Sequence, residues 1–223
     1  MSVPLPPPVE FDSPEEIHFS WWLEELVSAG YVHRWNRGRS YDLVPSIVQE
    51  YLKERTSPAT GLPLPMQASK VTLKKGLTYT PDFEIYWTLK AIGVFCVPHR
   101  LLTVGAPSHH FIGHYDDSMM PFSLVEVKPR IAGGKNGSNN GRMRVSRMNA
   151  MILYHVHGLY ANLAEVGPQP GSIFAKTFTP GRFLKTDKSG KPRTLKFQPR
   201  DLSGFVAETL KLKIRTHSQN EHS

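Results

Sequence analysis

Residues 123–128 read SLVEVK, and residues 78–83 read TYTPDF. Both segments are short and rich in β-branched, aromatic or apolar residues, and proline stands at the end of the first (Pro129) and inside the second (Pro81). An extended chain sends successive side chains to opposite faces. Glu126 and Lys128 therefore point one way, and Val125 and Val127 the other. A strand carrying Asp82 beside this one brings two carboxylates and an ammonium to one surface. A hard divalent cation takes oxygen ligands, and Mg²⁺ keeps several waters, so two carboxylates suffice. The carbonyl of Val127, between Glu126 and Lys128, is a further candidate ligand. Such an ion polarises a phosphodiester and helps to form hydroxide from water. Lys128 stabilises the deprotonated water and offsets charge on the phosphate. Asp82 after Pro81 also suits a turn, and Glu126 with Lys128 also suits the exposed face of an edge strand.

Working outward, residues 70–73 and 79–87 read as strands around Lys75 and Gly76. Residues 92–97 and 100–104 read as a further hairpin. Residues 105–121 read as a polar connection carrying His109, His110, His114, Asp116 and Asp117. Those histidines invite a zinc reading, but their order lacks a strong metal-binding spacing. Residues 132–141 (AGGKNGSNNG) read as the most flexible loop, 142–157 as a helix stopped by Gly158, and 159–166 and 173–178 as strands. Residues 185–196 read as a basic, hairpin-like loop. Toward the N-terminus, residues 1–12 form a Pro-rich arm. Ser13 and Glu16 have the spacing of a capping box with Pro14 at the first helical position. Phe19, Trp22, Leu23, Leu26 and Val27 recur at helical spacing, and Gly30 supplies the stop. Residues 31–44 suggest a strand, 46–55 a short helix with Ile47, Val48, Tyr51 and Leu52 as its apolar face, and 56–65 a loop. The tail beyond Arg215 reads as disordered.

The chain has 223 residues, 39% of them hydrophobic, and one cysteine. A sizeable core is affordable and an internal disulfide is excluded. Cys96 lies in an apolar run and reads as a buried small hydrophobe. The first residues lack the basic and apolar regions of a secretory signal, and no stretch approaches the roughly 20 apolar residues of a membrane span. A reducing cytoplasm is the expected setting, that of the host if the protein is viral. Lysine plus arginine outnumber aspartate plus glutamate by 27 to 19, a net charge of +8 that attracts polyanions. The basic residues fall partly into two clusters. One contains Arg130, Lys135, Arg142 and Arg144. The other contains Lys185, Lys188, Lys191 and Arg193.

Pro81-Asp82 followed by Glu126-Val127-Lys128 resembles the PD-(D/E)xK nuclease superfamily, which has the restriction-endonuclease-like fold. Within it, the TYTPDF strand, the VEVK strand and the upstream S-x-x-E helix are similar to the phage endonuclease I group of Holliday-junction resolvases. Residues 174–180 resemble that group's C-terminal portion more weakly. The stretch between Asp82 and Glu126 is longer than the group's usual compact hairpin and must accommodate an insertion. The resemblance implies an α/β fold with a central mixed sheet flanked by helices. It implies one nuclease domain over residues 13–215, with an insertion at about 88–121 and a tail at 216–223. It implies Mg²⁺- or Mn²⁺-dependent cleavage of branched or junction DNA. Asp82, Glu126 and the Val127 carbonyl would be ligands, Lys128 would assist water, and Glu16 would support a second metal, with Glu15 as the competing carboxylate. Arg130, Lys135, Arg142, Arg144, Lys188, Lys191 and Arg193 would contact phosphates, which supply affinity rather than sequence readout. A homodimer making two symmetric cuts follows from the same resemblance. Three alternatives stand beside it. One is a transposon-type end-cleaving subunit with a recombinase or replication partner. The others are a non-catalytic DNA-binding protein and a virion assembly protein.

Overall fold

The structure is a computed structural model, and it describes residues 11–99, 108–130, 138–185 and 191–220. In chain order the elements are α1 (Pro14–Ser28), β1 (Val32–Arg37), β2 (Tyr41–Val44), β3 (Ile47–Thr56), β4 (Pro63–Lys74), β5 (Leu77–Tyr79) and β6 (Phe83–Trp87). A 3-10 turn at Leu89–Ala91 follows, then β7 (Cys96–Pro98), β8 (Phe111–Tyr115), β9 (Pro121–Pro129), α2 (Ser138–His157), β10 (Ala161–Val166), α3 (Ile173–Lys176), α4 (Gly181–Lys185) and α5 (Leu202–Asn220). The chain divides into two compact units, one of them Ser40–Thr80 and the other the remainder.

The larger unit is α/β, built on a mixed six-stranded sheet in the order β1-β6-β9-β8-β7, with β10 also on β9. The pairs β1–β6, β6–β9 and β8–β9 are antiparallel, whereas β10–β9 and β7–β8 are parallel. β9 is buried along most of its length, as a central strand must be. Its Val125 and Val127 face the main core with Phe83, Ile85, Ala164 and Val166. α1 covers that face with Phe19, Trp22, Leu23 and Leu26, all fully buried. Trp22 stacks between Phe19 and Phe178 and donates from Nε1 to Thr177 Oγ1 at 3.1 Å. The helix begins as its sequence dictates. Ser13 is extended and accepts from the Glu16 N–H, and Pro14 opens the first turn. It ends at Gly30, whose φ of +74° lets Tyr31 N reach the Leu26 carbonyl at 2.9 Å. Cys96 is fully buried beside Ser123, and burial pushes its thiol up to about 12. Among the described residues no helix is long and apolar enough to cross a membrane.

Several expectations are corrected. Residues 46–55 are not helical: Ile47–Thr56 pairs antiparallel with Pro63–Lys74, so the expected loop at 56–65 shrinks to the turn between them. The apolar spacing there fits either period, and a matching second strand decides it, with cross-strand pairs such as Glu50–Lys70 at 2.7 Å. The strand expected at 79–87 is broken, since β5 pairs with β2 and β6 joins the central sheet. Pro81 between them lacks a ladder donor. The polar connection expected at 105–121 contains a strand, β8, which with β7 belongs to the central sheet, and Ser40–Thr80 forms a compact unit of its own. The hairpin expected over 92–104 is not seen in its described part, because β7 pairs in parallel with β8. Residues 100–104 lie outside the described residues. Residues 173–176 form a helix rather than a strand because Ser172 caps them, accepting from Ala175 N at 3.3 Å. The tail beyond Arg215 continues α5 as far as Asn220.

Candidate active site

Asp82 stands immediately before β6, whose Phe83 pairs with Val125 of β9 and with Arg37 of β1. One step back along that register brings Asp82 level with Glu126. Its Oδ2 accepts from the Val127 backbone N–H at 2.6 Å, a bond that extends the ladder beyond the last strand pair. A strand residue's N–H and C=O leave by the same edge, so the Val127 carbonyl also faces the Asp82 side. Glu126 and Lys128 lie on the face opposite the α1 core. Lys128 Nζ is 2.6 Å from Glu126 Oε1, and Ser146 Oγ of α2 donates to the same oxygen at 3.1 Å. Asp82, Glu126 and Lys128 are thus brought together by β6, β9 and the α2 helix.

The electrostatics of the group are those of crowded anions. The Asp82 carboxyl is pushed up from 3.8 to about 6, first by burial, then by the negative charge of Glu126, with Glu16 adding to it. The Val127 N–H and the Lys128 ammonium oppose the rise. The folded state therefore takes up a proton at Asp82 between about pH 4 and 6, and the unfolded chain does not. Stability through this group is greatest below pH 4, falls as pH rises to about 6, and stays low above it. Asp82→Asn removes the charge and keeps an oxygen for the Val127 N–H. In EDTA, thermal melts are expected to show this variant above the parent at pH 8 and level with it at pH 4. An equal shift at both pH values would contradict the assignment.

Glu16 is buried and already well partnered. Its carboxylate accepts from Ser13 Oγ at 2.9 Å and from Asp12 N at 3.3 Å, and it forms an ion pair with Arg37 of β1. Its charge nonetheless acts on Asp82. Glu15, the competing carboxylate, is only partly buried in the same first turn. The expected phosphate contacts separate. Arg130 is tied down by an ion pair with Glu165 and a bond to the Pro170 carbonyl at 3.2 Å. Arg193 lies over the Phe183 ring and within 2.9 Å of His18 Nε2. Arg144 is exposed on α2, and Lys191 is exposed. Arg142 lies on α2, but its side chain, like Lys135 and Lys188, is outside the described residues. Of the histidines weighed for zinc, His114 stacks with His99, and His109 packs edge-on against His110.

Three contributors escaped the sequence reading. Ser146 orients Glu126 from a helix twenty residues on. Arg37 pairs with Glu16 across a separation that no local spacing announces. Gly38 sits against the Pro81 carbonyl, where an added Cβ would lie 2.0 Å from its oxygen. The sequence signal for Gly38 is slight, a lone glycine between Arg37 and Arg39. Gly38→Ala is expected to cost roughly 1–3 kcal/mol, as overpacking does, and to displace Asp82 with the backbone. Denaturant unfolding of the variant measures the cost, and a stability equal to the parent's would mean the contact relaxes freely.

Do these residues suit a divalent ion? Among the described residues no group of three or more histidine, cysteine, aspartate or glutamate side chains is arranged to hold a metal. The donor set is smaller: the Asp82 and Glu126 carboxylates and the Val127 carbonyl. It is all oxygen, which suits Mg²⁺ or Mn²⁺ with waters completing the shell. The mutual repulsion that lifts Asp82 is the kind of strain a cation relieves. The residues fit such an ion. A comparison with family models, with curated proteins and with solved structures finds no match to this chain.

Proposed function

We propose that this chain is a metal-dependent endonuclease that hydrolyses DNA phosphodiester bonds, of the PD-(D/E)xK type with a restriction-endonuclease-like core. The observation that carries the reading is the convergence of Asp82, Glu126 and Lys128, with Asp82 raised first by burial and then by its anionic neighbours. Asp82, Glu126 and the Val127 carbonyl would hold Mg²⁺ or Mn²⁺, which when bound polarises the phosphodiester and acidifies water. The chain's own residues do the rest. The Val127 N–H fixes the Asp82 carboxylate, and Ser146 with Lys128 fixes Glu126. Lys128 holds positive charge where the attacking water loses its proton and the phosphate gains charge. Glu16 supports a second metal in this reading only if its pairing with Arg37 loosens. Without that, it acts on the site through its charge.

Binding is assigned to exposed basic side chains, among them Arg144 and Lys191. Lys135, Arg142 and Lys188 belong to the same proposal, as do a homodimer and a preference for branched or junction DNA. The test is a cleavage panel of four-way junction, flap, nicked duplex, linear duplex and single strand, with Mg²⁺, Mn²⁺ or EDTA. Cleavage that needs the ion and is strongest on the four-way junction is expected. Intact substrates in every arm would leave a DNA-binding or assembly protein in its place.

A further inference from the structure

A cavity of about 350 Å³ opens where β8 begins beside β10, within the size range of small-molecule sites. Arg130, Arg147, Lys176 and His109 contribute to its lining, and Phe111 and Ile173 add apolar wall. Asp82, Glu126 and Lys128 line no part of it.

Much of the polar lining is already committed. The Asn162 amide is consumed by the backbone, with Oδ1 accepting from Ile112 N at 2.8 Å and Nδ2 donating to the Ile112 and Leu124 carbonyls at 2.9 and 3.0 Å. Arg130 is half neutralised by Glu165. Arg147 and Lys176 differ: among the described residues, neither has a carboxylate within ion-pair distance. The buried Nε2 of His109 likewise has no hydrogen-bond partner among the described residues. Burial first, then the charges of Arg200 and Lys176, hold this imidazole below its ordinary pKa, against a hydrogen bond with the Val94 backbone. Glu165 lines the cavity too, but its charge is matched by Arg130, so the cations Arg147 and Lys176 are left without a carboxylate partner among the described residues, and an anion is what the lining lacks. The space exceeds what a bare phosphate fills. Tyr160, 40% exposed at the lining, offers a ring face of the kind on which bases stack.

We propose that this cavity binds a nucleotide, with Arg147 and Lys176 on the phosphate and the nucleoside against Tyr160 and the apolar wall. His109 Nε2 completes the anion site, because a neighbouring dianion favours the protonated imidazole. Free nucleotides and the phosphorylated end of a strand share this chemistry.

Calorimetric titration of the full chain with dTMP, thymidine, inorganic phosphate, TpT and 5′-phosphorylated TpT tests the assignment. dTMP is expected to bind more tightly than inorganic phosphate, and thymidine most weakly. Arg147→Ala with Lys176→Ala should weaken dTMP by about tenfold or more, since charge-assisted bonds to phosphate are lost. Thermal melts check that this double variant folds. Tyr160→Ala should weaken dTMP and leave inorganic phosphate unchanged. Asp82→Ala should bind dTMP as the parent does, which keeps this site separate from the cleavage reading. Binding of 5′-phosphorylated TpT as tight as that of dTMP, with TpT silent, adds strand ends to the ligands. Failure of both dinucleotides confines the site to free nucleotides, and either result upholds the pocket. No dTMP binding, an unchanged affinity in the folded double variant, or phosphate binding as tightly as dTMP overturns the proposal.

Discussion

Asp82→Ala and Glu126→Ala are each expected to lower single-turnover DNA cleavage by roughly 10³-fold or more, because each removes half of the carboxylate set and the several kcal/mol that a positioned metal supplies. DNA binding should change little, since affinity for DNA rests mainly on cationic contacts to phosphates. The fold should survive. Asp82 is an anion under stress rather than a support, and its loss leaves one backbone N–H, that of Val127, without its carboxylate partner. The two variants should not add. When one ligand is gone the other has little left to do, so the double variant should cleave about as slowly as either single one. The measurement is single-turnover cleavage in Mg²⁺ beside a binding isotherm in Ca²⁺ or EDTA. Near-parental turnover by either folded variant would remove this group of residues from consideration as an active site.

Lys128→Ala carries the second large effect, a fall of about 10²–10⁴ in the chemical step, the usual worth of a positioned acid-base or electrostatic group. The ammonium touches Glu126 at 2.6 Å and also holds down the Asp82 carboxyl. Its removal therefore has two signatures. The rate of the bound complex falls, and the acid limb of the pH–rate profile moves to higher pH, because Asp82 loses a neighbouring positive charge. Stability should also fall, by roughly 1–3 kcal/mol, since the side chains of the pair are only 22% and 12% exposed and Glu126 loses its cation. A Lys128→Ala protein that binds DNA more weakly but cuts the bound strand at the parental rate would make this lysine a phosphate contact only.

What could be read in the sequence was what depends on neighbours in the chain. Ser13, Pro14 and Gly30 announce α1 because caps and stops are local devices, and the structure uses all three. The alternation at 123–128 placed Glu126 and Lys128 on one face because the period of two belongs to the strand itself. The mixed sheet flanked by helices was implied by the resemblance these motifs carry, and the larger unit has one. Failures came where a distant partner decides. Ile47, Val48, Tyr51 and Leu52 suit a helix until Val71 and its neighbours arrive to pair with them. Residues 173–176 failed for a different reason: Ser172, their neighbour in the chain, caps them as a helical turn, and their apolar run outweighed that local signal. At the site, Asp82 and Glu126 could be suspected from residue type alone. The Arg37–Glu16 pair, the Ser146 hydroxyl and the close approach at Gly38 are products of folding, and no local pattern encodes them.

Cys96 gives the molecule a reporter of its own opening. Its side chain has no solvent exposure and its thiol is pushed up to about 12. At pH 8 almost none of it is thiolate, the form that alkylating reagents attack. An unfolded chain presents the same sulfur with an ordinary pKa near 8.5. The difference makes iodoacetamide uptake a clock for excursions in which β7 leaves the sheet. The chain has one cysteine, so each molecule gains one mass increment, and intact-mass spectra count opened and unopened molecules directly. Added Mg²⁺ and added DNA can then be ranked by how far each slows that clock, without any substrate being cut.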